Sequence, residues 1–507
     1  MKNIITIISL GICLLFASCS KDFLNKTDPT RIGVGVFYQD EAQVNRAING
    51  IYGQLQGITN VNYIFKEMTS DNTTIDLNPS DRGGAAGWEA FEYSTVNSGN
   101  GEITNLWVRY YSAMYNINTA IEKLQQSTID DAVKKRLDAE LKFLRGFLYF
   151  DLVRFFGNVV LVTKTYATPA EAFEQVRTTS VDQVYAQIEA DLKEAVAGLP
   201  AKADQATALK GRATKGAALA TLGEMYLTVK KYPDAVTALQ QILPMGYSLM
   251  PNYADVFSTS MKNNAESVFE IQYQGDNDLG EWSNFMYVFA PRVSGNAIVG
   301  FAGQGLGGRN IPTNNMIAAY EAGDLRKDVS LKTGFIQKRA NLPDTLIKIP
   351  YVNKYNHPHT IAGRTNDNWP VYRYADVLLM LAEAINEATG PSSEAEGYLN
   401  LVRARAGLDP QTGLNKDDFR TAVLKERRVE LAFENHRWFD LKRTMTAQQL
   451  AAFMNAHGAE EKAHPTVDRG GVAFNQLDYV YEATENIFPI PASEILVNDK
   501  LSQNDGY

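Results

Sequence analysis

The chain has 507 residues, 45% of them hydrophobic, and a formal net charge of −9. That length permits a large core and, as a prior, two or three domains. Basic and acidic residues are interspersed with no basic block, which argues against nucleic acid and against a membrane surface held by charge.

The N-terminus reads as an address. Met1 and Lys2 give a short positive start, and Ile4 to Phe16 is nearly all apolar. That run is too short to span a bilayer permanently but suits a secretory apolar region. Ala17 and Ser18 are small, and Cys19 follows them. This order resembles a bacterial lipobox, with Phe16 where leucine is usual. Residues 1–18 are therefore expected to be a lipoprotein signal peptide and residues 19–30 a lipidated, flexible tether. Residues 31–507 are expected to form a single ligand-binding domain. Cys13 would leave with the signal, so the one mature thiol, Cys19, is spent on lipid. A disulfide framework, a thiol metal site and a cysteine nucleophile are then excluded. Several acyl chains on one residue anchor stably, whereas one does so only marginally. Removal of the signal loses only Lys2 and moves the charge to −10.

Helical periodicity dominates the body. Leu137, Leu141, Leu144, Leu148, Leu152 and Phe155 recur at steps of four and three, one face of an amphipathic helix that stops at Gly157-Asn158. Residues 159–162, VVLV, read as a short buried strand. The next helix has Ser180 as its N-cap and closes at Gly198 and Pro200. Residues 211–243 look like a tetratricopeptide unit, with Leu222-Gly223, Tyr226 and Ala235 at that repeat's spacing. One such unit cannot bury its face alone. Residues 105–124, 137–156, 371–387 and 417–443 are the candidates to stack on it. Three stretches, 58–104, 274–315 and 331–370, read as irregular. They are long for simple loops, and long loops in a compact domain usually carry function.

Several segments together resemble the SusD/RagB family of nutrient-binding lipoproteins of Bacteroidetes. They are ELKFLRGFLYFDLVRFFGNVVLV (140–162), GRATKGAALATLGEMYL (211–227), YEAGDLRKD (320–328) and NWPVYRYADVLLMLAEAINE (368–387), then LNLVRARAGL (399–408), ERRVELAFENHRWFDLKR (426–443) and IFPIPASEILVNDKLSQNDGY (487–507). They stand in family order over essentially the whole mature chain. The resemblance implies a mostly α fold: a tetratricopeptide-like helical-repeat scaffold with long loop-rich decorations and a few short strands. It implies an outer-membrane lipoprotein facing the cell exterior, acting as a lid on a SusC-like TonB-dependent transporter. It implies capture of a glycan or, in RagB-like members, a peptide. It implies no catalysis and no cofactor.

Other motifs have structural readings. Arg373 and Asp376 can pair on one helical face, and Glu383 needs a partner in so apolar a helix. Glu426, Glu430 and Glu434 share one stripe, with Asp440 beyond. A glycosidase needs two carboxyl groups facing each other across a substrate, so these read as salt bridges to nearby arginines. GQGLGG (303–308) matches a dinucleotide fingerprint, with Asp324 downstream, but Arg309 to Thr313 separate it from the next helix. His357-Pro-His359 reads as a surface loop rather than a metal site, since proline splays the rings.

The binding site is expected in the decorations. An aromatic ring can stack on a sugar's C–H face while polar groups bond its rim. Trp88 and Trp282, each in a polar, flexible setting, are the expected platforms. Arg82, Asn72 and Tyr287 are the expected rim residues. Trp107, Trp369 and Trp438 lie in scaffold blocks and are expected in the core.

Overall fold

The computed structural model describes residues 37–80, 82–166, 168–178, 180–339 and 342–507. The expected signal peptide, Cys19 and tether lie outside them. The described chain is mostly helical. It opens with α1 (Glu41–Lys66), capped by the Asp40 side chain, which accepts from the Gln43 N–H. Four helices follow: α2 (Arg82–Glu92), α3 (Gly101–Gln126), α4 (Asp131–Phe156) and α5 (Pro169–Phe173). Next come α6 (Val181–Gly198), α7 (Lys215–Thr228), α8 (Tyr232–Gln240), α9 (Phe285–Phe289), α10 (Asn296–Val299), α11 (Asn314–Ala319) and α12 (Lys327–Ser330). The C-terminal third contributes α13 (Tyr374–Thr389), α14 (Ser393–Arg405), α15 (Lys416–Glu430), α16 (Arg437–Thr444), α17 (Ala447–Ala463) and α18 (Ala492–Val497).

The long helices start where the sequence supplies side-chain caps. Asn100, Asp130 and Ser180 each accept from the backbone N–H groups of the first turn. The amphipathic faces then stack in succession, α4 on α6, α6 on α7, α7 on α8, α8 on α13, and α13 on α14 and α15. This is the tetratricopeptide-like pattern expected around residues 211–243. Close approach of α7 and α8 depends on Gly223. A Cβ there would meet the side chain of fully buried Leu239 at 2.5 Å. Gly223→Ala is therefore expected to cost about 1–3 kcal/mol by overpacking, read as a lower urea midpoint. An unchanged midpoint would show that the helix pair can separate freely.

One core cluster runs from Val44 to Ile490. At its centre Phe155 lies 5.2 Å from Phe439 and 5.8 Å from Phe488, ring centre to ring centre. The Phe488 N–H also donates to the Phe155 carbonyl at 2.7 Å, so the C-terminal segment closes over the N-terminal helices. Trp107, Trp369 and Trp438 are buried, as their scaffold positions predict. A smaller cluster, including Leu379, Leu399 and Phe419, joins α13, α14 and α15.

The strands, in chain order, are β1 (Thr73–Thr74), β2 (Ser267–Ile271), β3 (Ile311–Pro312), β4 (Leu331–Lys332), β5 (Phe335–Arg339), β6 (Leu342–Ile347), β7 (Tyr351–Val352) and β8 (Trp369–Arg373). They form antiparallel pairs β1–β3, β2–β8, β4–β7 and β5–β6.

Several expectations need correction. Residues 159–162 form no strand. The segment has no strand partner; the Thr178 N–H and several side chains satisfy its backbone instead. Tyr111 donates to the Val160 carbonyl, while Tyr149 and Asn118 donate to that of Val162. Residues 417–443 are two helices, broken where Phe433 and Asn435 adopt φ of 64° and 70°. About half of the stretch 58–104 is helical, since α1 runs to Lys66, α2 contains Trp88 and α3 begins at Gly101. GQGLGG, by contrast, opens no helix, as expected: it leads into β3.

Candidate functional site

Two loops that are far apart in sequence are tied together at one surface. Ser283 and Thr365 exchange backbone hydrogen bonds of 3.0 and 2.8 Å, and their hydroxyls lie 2.9 Å apart. Asp276 accepts from the Thr360 N–H and hydroxyl, both at 2.7 Å, and from the Ile361 N–H. Those donors hold its carboxyl below the usual range. Arg364 donates to the Asn277 carbonyl at 2.8 Å and pairs with Asp278. The result is a fixed arm, not a loose loop.

Trp282 stands on this arm, half-buried. The Arg364 guanidinium covers its ring at 4.4 Å from the centre. Tyr287, on α9, is not the open rim residue expected: it is 6% exposed, and its hydroxyl bonds His359 at 2.7 Å. The His359 Nδ1–H donates to the His357 carbonyl, which leaves Nε2 to accept from Tyr287. Phe301 packs on the same imidazole, ring centres 5.0 Å apart. His357 pairs with Asp367 at 2.5 Å. The platform rests on a satellite core that includes Met286, Tyr287, Val299 and Phe335. Among the described residues no group of three or more His, Cys, Asp or Glu side chains could hold a metal.

The other expected site residues fall differently. Trp88 is only 5% exposed and is no open platform. Its place on α2 turns it inward, and the Arg309 guanidinium covers the ring at 4.4 Å. Trp88 and Phe91, three apart and both buried, are the helical signal that the surrounding glycines mask. Asn72 is 1% exposed and committed to the scaffold. It donates to Glu67 at 2.9 Å and accepts from Arg428 at 2.8 Å. Burial pushes Glu67 up to about 7, against the pull of Asn72 and of the Asn435 and Phe433 N–H groups. Arg82 opens α2, and its side chain lies outside the described residues. The segment leading to β3 links the two regions, because the Gly307 N–H donates to the Tyr287 carbonyl and the Arg309 N–H to that of Val288. The structure thus joins Trp282 and Tyr287 to Arg364 and Phe301, which the sequence did not single out, and to His359, which it read only as part of a surface loop.

The carboxylate stripe is absorbed in ion pairs. Glu426 meets Arg326 and Arg403; Glu430 meets Arg326, Arg373 and Arg405; Glu434 meets Arg373 and Lys354. Asp376 pairs with Arg427 instead of Arg373, because Arg373 ends β8 in extended conformation and so does not share the helical face. Glu383 finds its partner in Arg443. The site therefore presents aromatic surface and hydrogen-bonding groups, the chemistry of recognition.

Comparisons agree with this architecture. Residues 340–507 match the model of the SusD family, and residues 22–227 match a model described as starch-binding associating with outer membrane. SusD-like protein P2 of Formosa agariphila is 26% identical over 502 residues, covering 93% of this chain and 94% of its own. A SusD-like protein of Bacteroides fragilis superposes with a TM-score of 0.73 at 26% identity, covering 95% of this chain and 99% of its own. A laminarin-binding SusD-like protein superposes with a TM-score of 0.74 at 27% identity, covering 93% and 100%.

Proposed function

The chain belongs to the SusD-like family, and from that premise we propose that it captures a glycan at the outer membrane and delivers it to a SusC-like TonB-dependent transporter. The observation that carries this reading is the tied arm around Trp282. A half-exposed indole covered on one side by Arg364, on loops that Asp276 and Thr365 tie together, is a preformed surface for a sugar face, with polar groups at its edge. Asp278, Arg364 and His359 supply the rim, while Tyr287, buried, braces His359 through its hydroxyl. The laminarin-binding relative and the starch-binding family description point to the same ligand class.

The mechanism is binding without bond cleavage. Lipid on Cys19 would keep the protein beside its pore and raise the effective concentration for hand-over. No helix among the described residues is long and apolar enough to cross a membrane, so this reading assigns attachment to the acylated N-terminus.

Calorimetry of the chain from residue 20 against laminarin, soluble starch, xylan and a peptide mixture tests the reading. Glycan binding is expected. Trp282→Ala is expected to weaken it roughly 10-fold, about 1.4 kcal/mol for one aromatic contact. Heat on peptides alone would transfer the protein to peptide capture, and turnover of a glycan would overturn the binder reading.

A further inference from the structure

A cavity of about 520 Å³ lies away from this arm. One wall is a face of α3, where Val108, Tyr111, Ser112 and Tyr115 fall at helical spacing. Tyr166, Phe173 of α5 and Val497 of α18 also line it. No lining residue comes from the loops around Trp282. The volume lies within the roughly 300–1,000 Å³ typical of small-ligand sites.

Its aromatic residues are unlike those already described. Tyr115 is 58% exposed and Phe173 47%. Among the described residues, neither ring, nor that of Tyr166, stacks on another aromatic or carries a cation, whereas Trp88 and Trp282 each carry a guanidinium. The Tyr115 and Tyr166 hydroxyls make no hydrogen bond among the described residues. Flat apolar faces beside free hydroxyls match a saccharide's C–H face and hydroxyl rim.

A peptide fits less well. Strand addition needs unpaired backbone groups along an edge. Here the Val159, Val160 and Val162 carbonyls already accept from Thr178, Tyr111 and Tyr149, and the Val162 N–H donates to Tyr149. An anionic ligand finds no cationic cluster, since Lys164 and Glu494 are the charged groups of the lining.

We propose that this groove is a second contact site for a neutral glycan. The inference rests on the glycan-capture reading and extends it: one polysaccharide chain engages both surfaces, and the second contact acts at high effective concentration.

The test compares the chain from residue 20 with its Tyr115→Ala/Phe173→Ala and Trp282→Ala variants, each checked for an unchanged melting curve. Titrants are laminarin, soluble starch and xylan, and the trisaccharide of whichever binds. The groove variant is expected to bind the polysaccharide roughly 3- to 10-fold more weakly, one aromatic contact. It is also expected to take up one trisaccharide fewer per chain. An isotherm unchanged in affinity and stoichiometry, with Trp282→Ala still impaired, overturns the groove and leaves capture at Trp282 standing. No glycan binding by the parent chain overturns both. Binding that survives Trp282→Ala but falls in the groove variant supports the groove and removes Trp282 as platform.

Discussion

Replacing Arg373 by methionine is expected to cost about 3–5 kcal/mol of stability, the loss usual when one partner of a buried ion pair is deleted. The guanidinium has five N–H donors, and all are used. It donates to Glu434 at 2.7 and 2.9 Å, to Glu266 at 2.6 Å, and to the Glu430 carboxylate and carbonyl at 2.8 and 2.9 Å. Burial by itself would raise Glu430, but Arg405, Arg373 and Arg326 outweigh it and hold the carboxyl far below the usual range. Glu434 is likewise lowered, by Arg373 and Lys354 against burial. Removing Arg373 leaves three carboxylates in the interior with one cation fewer. Lysine would keep the charge but has three donors on one atom and cannot bridge three carboxylates in fixed geometry. Arg373→Lys should therefore fall between methionine and the parent. Guanidinium denaturation measures both, and a loss below about 1 kcal/mol for methionine would mean that the network is dispensable.

The second large effect is a pH dependence carried by Glu92. Burial pushes its carboxyl up to about 8, aided by nearby Glu461 and opposed by Tyr479, Thr74 and Arg469. One oxygen accepts from the Tyr479 hydroxyl, and the other is buried with no hydrogen-bond partner. A neutral carboxyl suits that environment. The folded state then holds a proton that the unfolded chain releases near 4.5. Stability from this group is complete below about 4.5 and is lost as pH rises through about 8. Between those values the slope reaches at most about 1.4 kcal/mol per pH unit for one group. Glu92→Gln should flatten that part of the profile and match or exceed the parent near pH 8. Parallel parent and variant curves from pH 5 to 8 would show that Glu92 is ionised in the fold.

Much of the scaffold is legible in the sequence because its signals are local. Leu137 to Phe155 announce α4 by spacing, Ser180 caps its helix, and Gly223 with Ala235 marks a close helix pair. Family motifs in order give the fold class, since that is a property of the whole string. Trp88 marks where local reading fails. Its glycine-rich neighbours suggest a loop, yet burial against Arg309 makes α2 pay in packing what it lacks in propensity. Arg373 is three residues from Asp376 but bonds carboxylates 57, 61 and 107 residues away. The β2–β8 register, not helical spacing, delivers it to Glu266. The arm at Trp282 likewise exists only because Asp276 and Ser283 meet residues 360–365, more than 80 positions on. Sequence by itself marked most of the long helices, the Ser180 cap and the family. Tertiary structure alone decided which aromatics face solvent and which carboxylates are neutralised, because those depend on long-range contacts that no local period encodes.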